Sequence, residues 1–214
     1  MTEADLVRKT AIRVCQAMEQ CADELTTLDS TAGDGDLGIN LLTGLRVLHG
    51  SLSSGELAKA TEIPELVSGA GRLIAEHAAS TFGTLLSQGV IAAGKALAGP
   101  DVAHGNRLNT GFRAALDMIK RRGKAEPGEG TMVDALEPAV RAIEAATDSA
   151  PGNDPFSVLK AACEAARVGA EATRSMRSTK GRARWSGTQG EGSVDPGALA
   201  VVYLLEAMAE NPTD

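Results

Sequence analysis

Along almost the whole chain, apolar residues return every three to four positions, and no segment alternates apolar with polar residues as a half-buried strand does. Val7, Ala11, Val14, Met18, Ala22 and Leu25 set the pattern, which predicts one buried face of a first helix opened by a Thr2–Asp5 capping box. A second helix is expected over about 39–52, and a third after Pro64 through Leu66, Val67, Leu73 and Ile74. A fourth runs over about 84–97 and stops before Gly99-Pro100; a fifth carries Phe112, Leu116 and Ile119 and stops at Gly123. The sixth begins near Thr131 with Asp134 and buries Met132, Leu136, Val140 and Ile143. Asp154-Pro155 and Asp195-Pro196 each place an N-cap before a proline at the first helical position, which opens the seventh and eighth helices. Because 43% of residues are apolar but only 2% aromatic, the core must be built from Ala, Leu, Val and Ile, which suits closely packed helices. No linker, repeat or low-complexity tract divides residues 1–214, so a single all-α domain is expected.

A net charge of −7 argues against a nucleic-acid partner, since phosphate backbones need a basic surface. Cys15, Cys21 and Cys163 show neither metal-ligand spacing nor the even number of a disulfide framework, and read as reduced thiols. The N-terminus is charged, without the apolar core of a signal peptide, and no uninterrupted apolar run approaches membrane-spanning length. The expected compartment is therefore cytoplasmic, with no membrane partner.

Function is expected in the Gly-, Ser- and Thr-rich loops at 28–40, 77–84, 123–132 and 177–197. The first reads LDSTAGDGDLGIN. Gly33, Gly35 and Gly38 have dinucleotide-turn spacing, but the preceding segment is helical, and a dinucleotide fingerprint requires a strand there. Asp29, Asp34 and Asp36 would repel phosphate. Either they splay into solvent or they share a cation, and the glycines flanking Asp34 and Asp36 favour the cation by letting the backbone curl the carboxylates inward. Oxygen ligands alone suit Mg²⁺, Ca²⁺ or Mn²⁺. An EF-hand is excluded, because with Asp34 at position 1 the twelfth position is Leu45 rather than Glu. Mg²⁺ bridging nucleotide phosphates is the remaining use. Gly89 to Ala96 resembles a P-loop up to Ala96, yet lies in an apolar helix, so Lys95 is not expected at a phosphate. Arg174, Arg177, Lys180, Arg182 and Arg184 form either a solvated loop or a guanidinium clamp on a polyphosphate. His49, His77 and His104 have no ligand spacing and are read as structural or exposed.

With LD-x3-GDGD-x-G-x-N, RGKAEPG-x-x-TM-x-DAL, KGRA and DPGA in that order, the chain resembles the nucleotide-binding L subunit of dihydroxyacetone kinases, the Dak2 or DhaL-type domain, over essentially its whole length. The resemblance implies an eight-helix antiparallel barrel with ATP or ADP at one rim. It implies that Asp29, Asp34 and Asp36 ligate a pair of Mg²⁺ ions that bridge the phosphates. Gly38 and Asn40 match the phosphate-side turn, Ala79 and Ser80 the phosphate-binding loop, and Gly123 and Met132 the adenine pocket. Arg182 matches an arginine on the phosphates, and Asp195, Pro196 and Gly197 a loop closing over the nucleotide. Three positions depart from the family pattern, all at the phosphate rim: Leu37 stands for a histidine, Gly130 for a lysine, and AASTFG at 78–83 is a shortened glycine-rich stretch.

The same resemblance implies one part of a two-component ketose kinase. A separate K-type subunit would hold the ketose, and in the relay form a phosphocarrier protein would recharge bound ADP. Arg182 is then the catalytic candidate. The alternative is a regulatory module that binds nucleotide, or a transcription factor, without turnover.

Overall fold

The computed structural model of the chain describes residues 1–100, 102, 106–150, 152–180 and 192–211. Among them are eight α-helices and no strand: α1 (Glu3–Ala32), α2 (Leu37–Ser54), α3 (Ile63–His77), α4 (Thr81–Leu97), α5 (Arg107–Gly123), α6 (Met132–Ser149), α7 (Pro155–Ala172) and α8 (Pro196–Ala209). Short 3₁₀ turns at Leu57–Lys59 and Thr173–Ser175 follow α2 and α7. Each helix packs on its neighbour in sequence, and α8 packs back on α1, which closes an up-and-down ring.

Helix starts follow the signals in the sequence. Thr2 and Asp5 form a capping box on α1, as do Thr131 and Asp134 on α6. Asp154 caps α7 and Asp195 caps α8, each ahead of a proline. The ends differ more. α1 continues to Ala32, α2 starts at Leu37 and α4 at Thr81, so two of the expected loops shrink to 33–36 and 78–80. Asp29 thus lies on a helix rather than in a loop.

Two close backbone approaches fix how neighbouring helices meet. A Cβ at Gly38 would lie 2.1 Å from the Ala22 carbonyl oxygen, so α2 crosses α1 where only glycine fits. On α6, Pro138 has no N–H to offer the Asp134 carbonyl four residues back. Gly169 of α7 packs against that carbonyl, where a Cβ would come within 2.0 Å of the oxygen.

The apolar faces are not all packed against one another. Met18, Ala22 and Leu25 of α1 are buried, whereas Val7, Ala11 and Val14 on the same face line an interior chamber of about 590 Å³ to which all eight helices contribute. Cys15 and Cys163 are buried and Cys21 half-buried, all three as free thiols. No helix among the described residues is long and apolar enough to cross a membrane.

Candidate functional site

In an up-and-down ring the α1–α2, α3–α4, α5–α6 and α7–α8 connections share one end. At these connections, or on the helix turns beside them, lie Asp29, Asp34, Asp36, Gly38, Asn40, Ala79, Ser80, Gly123, Met132, Asp195, Pro196 and Gly197.

Asp29 stands on the last turn of α1, Asp34 in the connection and Asp36 at the N-cap position of α2. Between the last two, Gly35 has φ +73°, a left-handed conformation that glycine adopts without strain. The turn brings one carboxylate oxygen of each aspartate within 4.8 Å of the others. The Asp36 side chain does not cap α2; instead Asp29 Oδ2 accepts the Leu37 N–H at 3.1 Å. One carboxylate therefore caps the next helix and faces the cluster. Asp29 and Asp36 are half-buried and Asp34 is exposed, so the cluster is open on one side. Three carboxylates at this separation repel unless a cation lies between them. All-oxygen donors with an open side suit a hard divalent ion such as Mg²⁺, which keeps part of its shell for water or phosphate.

Gly38 is buried against α1, and Asn40 is half-buried on the first turn of α2, its N–H bonded to the Asp36 carbonyl at 3.0 Å. The α3–α4 connection reaches α2 at Gly44, where a Cβ would lie 3.0 Å from that of Ala78. Ala79 is exposed there; Ser80 is buried and caps α4 by accepting the Gly83 N–H at 3.0 Å. The start of α8 joins from the other side, since a Cβ on Gly197 would lie 3.4 Å from the Phe82 ring and 3.5 Å from the Met132 Cβ. Met132 is 4% exposed and also lines the chamber, so it forms a floor rather than an open wall. Gly123 ends α5 against Leu85, and Lys124 beyond it is left-handed with φ 49°.

Asp195 accepts the Ala198 N–H at 2.8 Å, while its own N–H donates to Thr173 Oγ1 at 2.8 Å. Burial pushes the Asp195 carboxyl up to about 7; the Ala198 N–H opposes this, and the Asp134 and Asp29 carboxylates add repulsion. Pro196 is buried behind it.

Arg182, Arg184 and His104 lie outside the described residues. Lys95 is exposed on the last turn of α4, roughly 21 Å along the helix from its site-bearing end, so the P-loop-like string is not part of this rim. His77 is exposed at the end of α3 and shares a hydrogen bond with the Leu73 carbonyl. The sequence marks Asp134 only as the partner of a helix cap. It is buried, and its carboxylate accepts the N–H groups of both Gly128 and Thr131, shaping the α5–α6 connection from within. Glu129 and Thr173 carried no motif that would have marked them.

The DAK2 domain model matches residues 31–210. The chain belongs to the DAK2 domain family. The match begins two residues after Asp29. This DAK2 domain is 30% identical over 194 residues to the PEP-dependent dihydroxyacetone kinase 2, ADP-binding subunit DhaL, of Listeria innocua, covering 91% of the chain and 88% of that subunit. It is 32% identical over 209 residues to the L-erythrulose 1-kinase of Mycolicibacterium smegmatis, covering 96% of the chain but 36% of that enzyme. The dihydroxyacetone kinase from C. freundii in complex with AMP-PNP and Mg²⁺ superposes with a TM-score of 0.72 at 27% identity, over 98% of the chain and 34% of the kinase. The DAK2 domain thus spans about a third of these larger kinases and most of the Listeria subunit.

Proposed function

We propose that this chain is the Mg²⁺–nucleotide-binding part of a two-component kinase for dihydroxyacetone or another short ketose. It would bind ATP or ADP and act with a K-type subunit that holds the ketose. In the relay form, a phosphocarrier protein would recharge bound ADP. The observation that carries this reading is the cluster of Asp29, Asp34 and Asp36 around Gly35, an oxygen-donor set at the rim where Asn40, Ser80 and Gly197 also lie. It is supported by the family, by a relative named an ADP-binding subunit and by a related kinase solved with AMP-PNP and Mg²⁺.

Phosphoryl transfer depends mostly on positioning and charge neutralisation. Asp29, Asp34 and Asp36 would hold Mg²⁺, which would supply positive charge to offset that of the phosphates. The chain's own residues would do the rest. Gly38, Asn40, Ala79 and Ser80 would place the phosphates, and Gly123 and Met132 the base, with Asp195, Pro196 and Gly197 as the neighbouring wall. Arg182 would be the catalytic residue, balancing charge that grows on the transferred group, while the partner supplies the acceptor hydroxyl.

Asp34→Asn or Asp36→Asn should abolish Mg²⁺-dependent nucleotide binding and leave the helical circular dichroism unchanged. Equal affinity of variant and wild type by calorimetry would sink the metal assignment. Nucleotide binding without phosphorylation of any short ketose, with a K-type subunit present, would favour a nucleotide-sensing module.

A further inference from the structure

The α5–α6 connection, residues 124–131, is held from two sides. From within, Asp134 accepts the Gly128 and Thr131 N–H groups. From outside, Glu129 links it to residues 178–180, about fifty positions away in the chain. Glu129 Oε2 accepts the Glu126 N–H at 2.8 Å and tightens the turn. Its Oε1 accepts the Thr179 hydroxyl at 3.1 Å and pairs with Lys180 Nζ at 3.3 Å. The backbones meet as well: the Thr179 N–H donates to the Glu129 carbonyl at 3.2 Å, and the buried Ser178 hydroxyl to the Gly130 carbonyl at 3.0 Å. A Cβ at Gly130 would sit 3.2 Å from Ser178 Oγ, so the two strings are in close contact.

We propose that Glu129 is a positioning residue of the nucleotide site: its carboxylate clamps Thr179 and Lys180 onto the α5–α6 connection and so sets the distance between Gly123 and Met132, where the nucleobase would bind. This rests on the nucleotide-binding reading above. The partners of the Glu129 carboxylate belong to the rim rather than to a helix–helix seam, so its loss moves the rim and leaves the ring intact. The Glu126 N–H and then Lys180 and Thr179 hold the Glu129 carboxyl below its ordinary value, so it is ionised at neutral pH.

The test compares wild type, Glu129→Ala and Glu129→Gln. Three readouts are taken: Mg²⁺–ATP affinity by calorimetry, amide exchange at Thr179 in the nucleotide-free chain by NMR, and thermal stability. Glu129→Ala should weaken Mg²⁺–ATP about tenfold and speed Thr179 exchange, with a melting temperature close to wild type. Glu129→Gln keeps one acceptor oxygen, for either the Glu126 N–H or the Thr179 hydroxyl, and loses the charge facing Lys180, so it should fall between. Unchanged affinity in Glu129→Ala overturns the proposal. So does weaker affinity with unaltered Thr179 exchange, or a loss that only tracks lower thermal stability. Failure of the wild type itself to bind Mg²⁺–ATP overturns the nucleotide reading, and the positioning role with it.

Discussion

Asp29 shows how a single side chain takes on two tasks that substitution can separate. Its carboxylate caps α2 through the Leu37 N–H and faces Asp34 and Asp36. Asp29→Asn keeps an acceptor for that N–H and removes a charge. In EDTA it should be at least as stable as wild type, because the repulsion is relieved, while Mg²⁺ binding is lost. Asp29→Ala also loses the cap and should be less stable than Asp29→Asn by about 1 kcal/mol; urea denaturation of both variants checks this. Asp195 makes a different prediction, in pH. Its folded-state pKa of about 7 lies above the ordinary 3.8, so the folded chain binds more protons than the unfolded chain between those values. Its contribution is complete below about pH 4 and is lost as pH rises through 7. Asp195→Asn keeps an acceptor for the Ala198 N–H and should flatten this fall. Urea midpoints at pH 5 and 7 in EDTA provide the comparison, and parallel shifts in both proteins would show that the carboxyl is ionised throughout. Neither role was legible in the sequence. Spacing marks Asp29 as a candidate and the family resemblance marks Asp195, but burial and through-space neighbours decide what each carboxylate does.

At the scale of the helix, local signals placed the starts well because a cap is a contact within four residues. Thr131–Asp134, Asp154-Pro155 and Asp195-Pro196 all open helices where expected. Two connections are shorter than the composition of the sequence suggests. α1 continues through Asp29 to Ala32, and α4 begins at Thr81, because the sequence does not say how many polar residues a helix carries past its last buried turn. Glycine has opposite meanings at two helical positions. A Cβ on Gly169 would overlap the Asp134 carbonyl at 2.0 Å, whereas one on Gly50 meets nothing within 4 Å. Gly169→Ala should destabilise by roughly 1–3 kcal/mol or more through forced separation of α6 and α7. Gly50→Ala, in the interior of α2, should stabilise by about 0.5–1 kcal/mol. Thermal unfolding of the two variants gives both signs in one experiment. If Gly169→Ala matched wild type, the close α6–α7 approach would be absent in solution.

Across the whole molecule, the ring leaves an apolar chamber, and this changes what a buried valine contributes. Val140 is fully buried in packed protein, while Val14 has the chamber on one side. Truncating Val140 to alanine removes two methyl groups' worth of transfer energy, about 1.6 kcal/mol, and adds the cost of a new cavity. Val14→Ala starts from a site already missing neighbours on one side and should cost less than half as much. Denaturant midpoints of the two variants measure the difference; equal losses would mean that Val14 is as closely packed as Val140. The sequence by itself determined that the chain is helical, that the described residues form eight helices, where most of them begin, and that Asp29, Asp34 and Asp36 belong to one constellation. Each of these rests on contacts within a few residues or on a periodicity that survives any tertiary arrangement. Only the tertiary structure decided that the apolar faces pack part of a core and surround a chamber with the rest, because periodicity reports which side of a helix avoids water and not what lies opposite. It alone brought Gly197, Phe82 and Met132 together and set Glu129 against Thr179 and Lys180, since those contacts join residues about fifty or more positions apart, which no local pattern in the sequence relates.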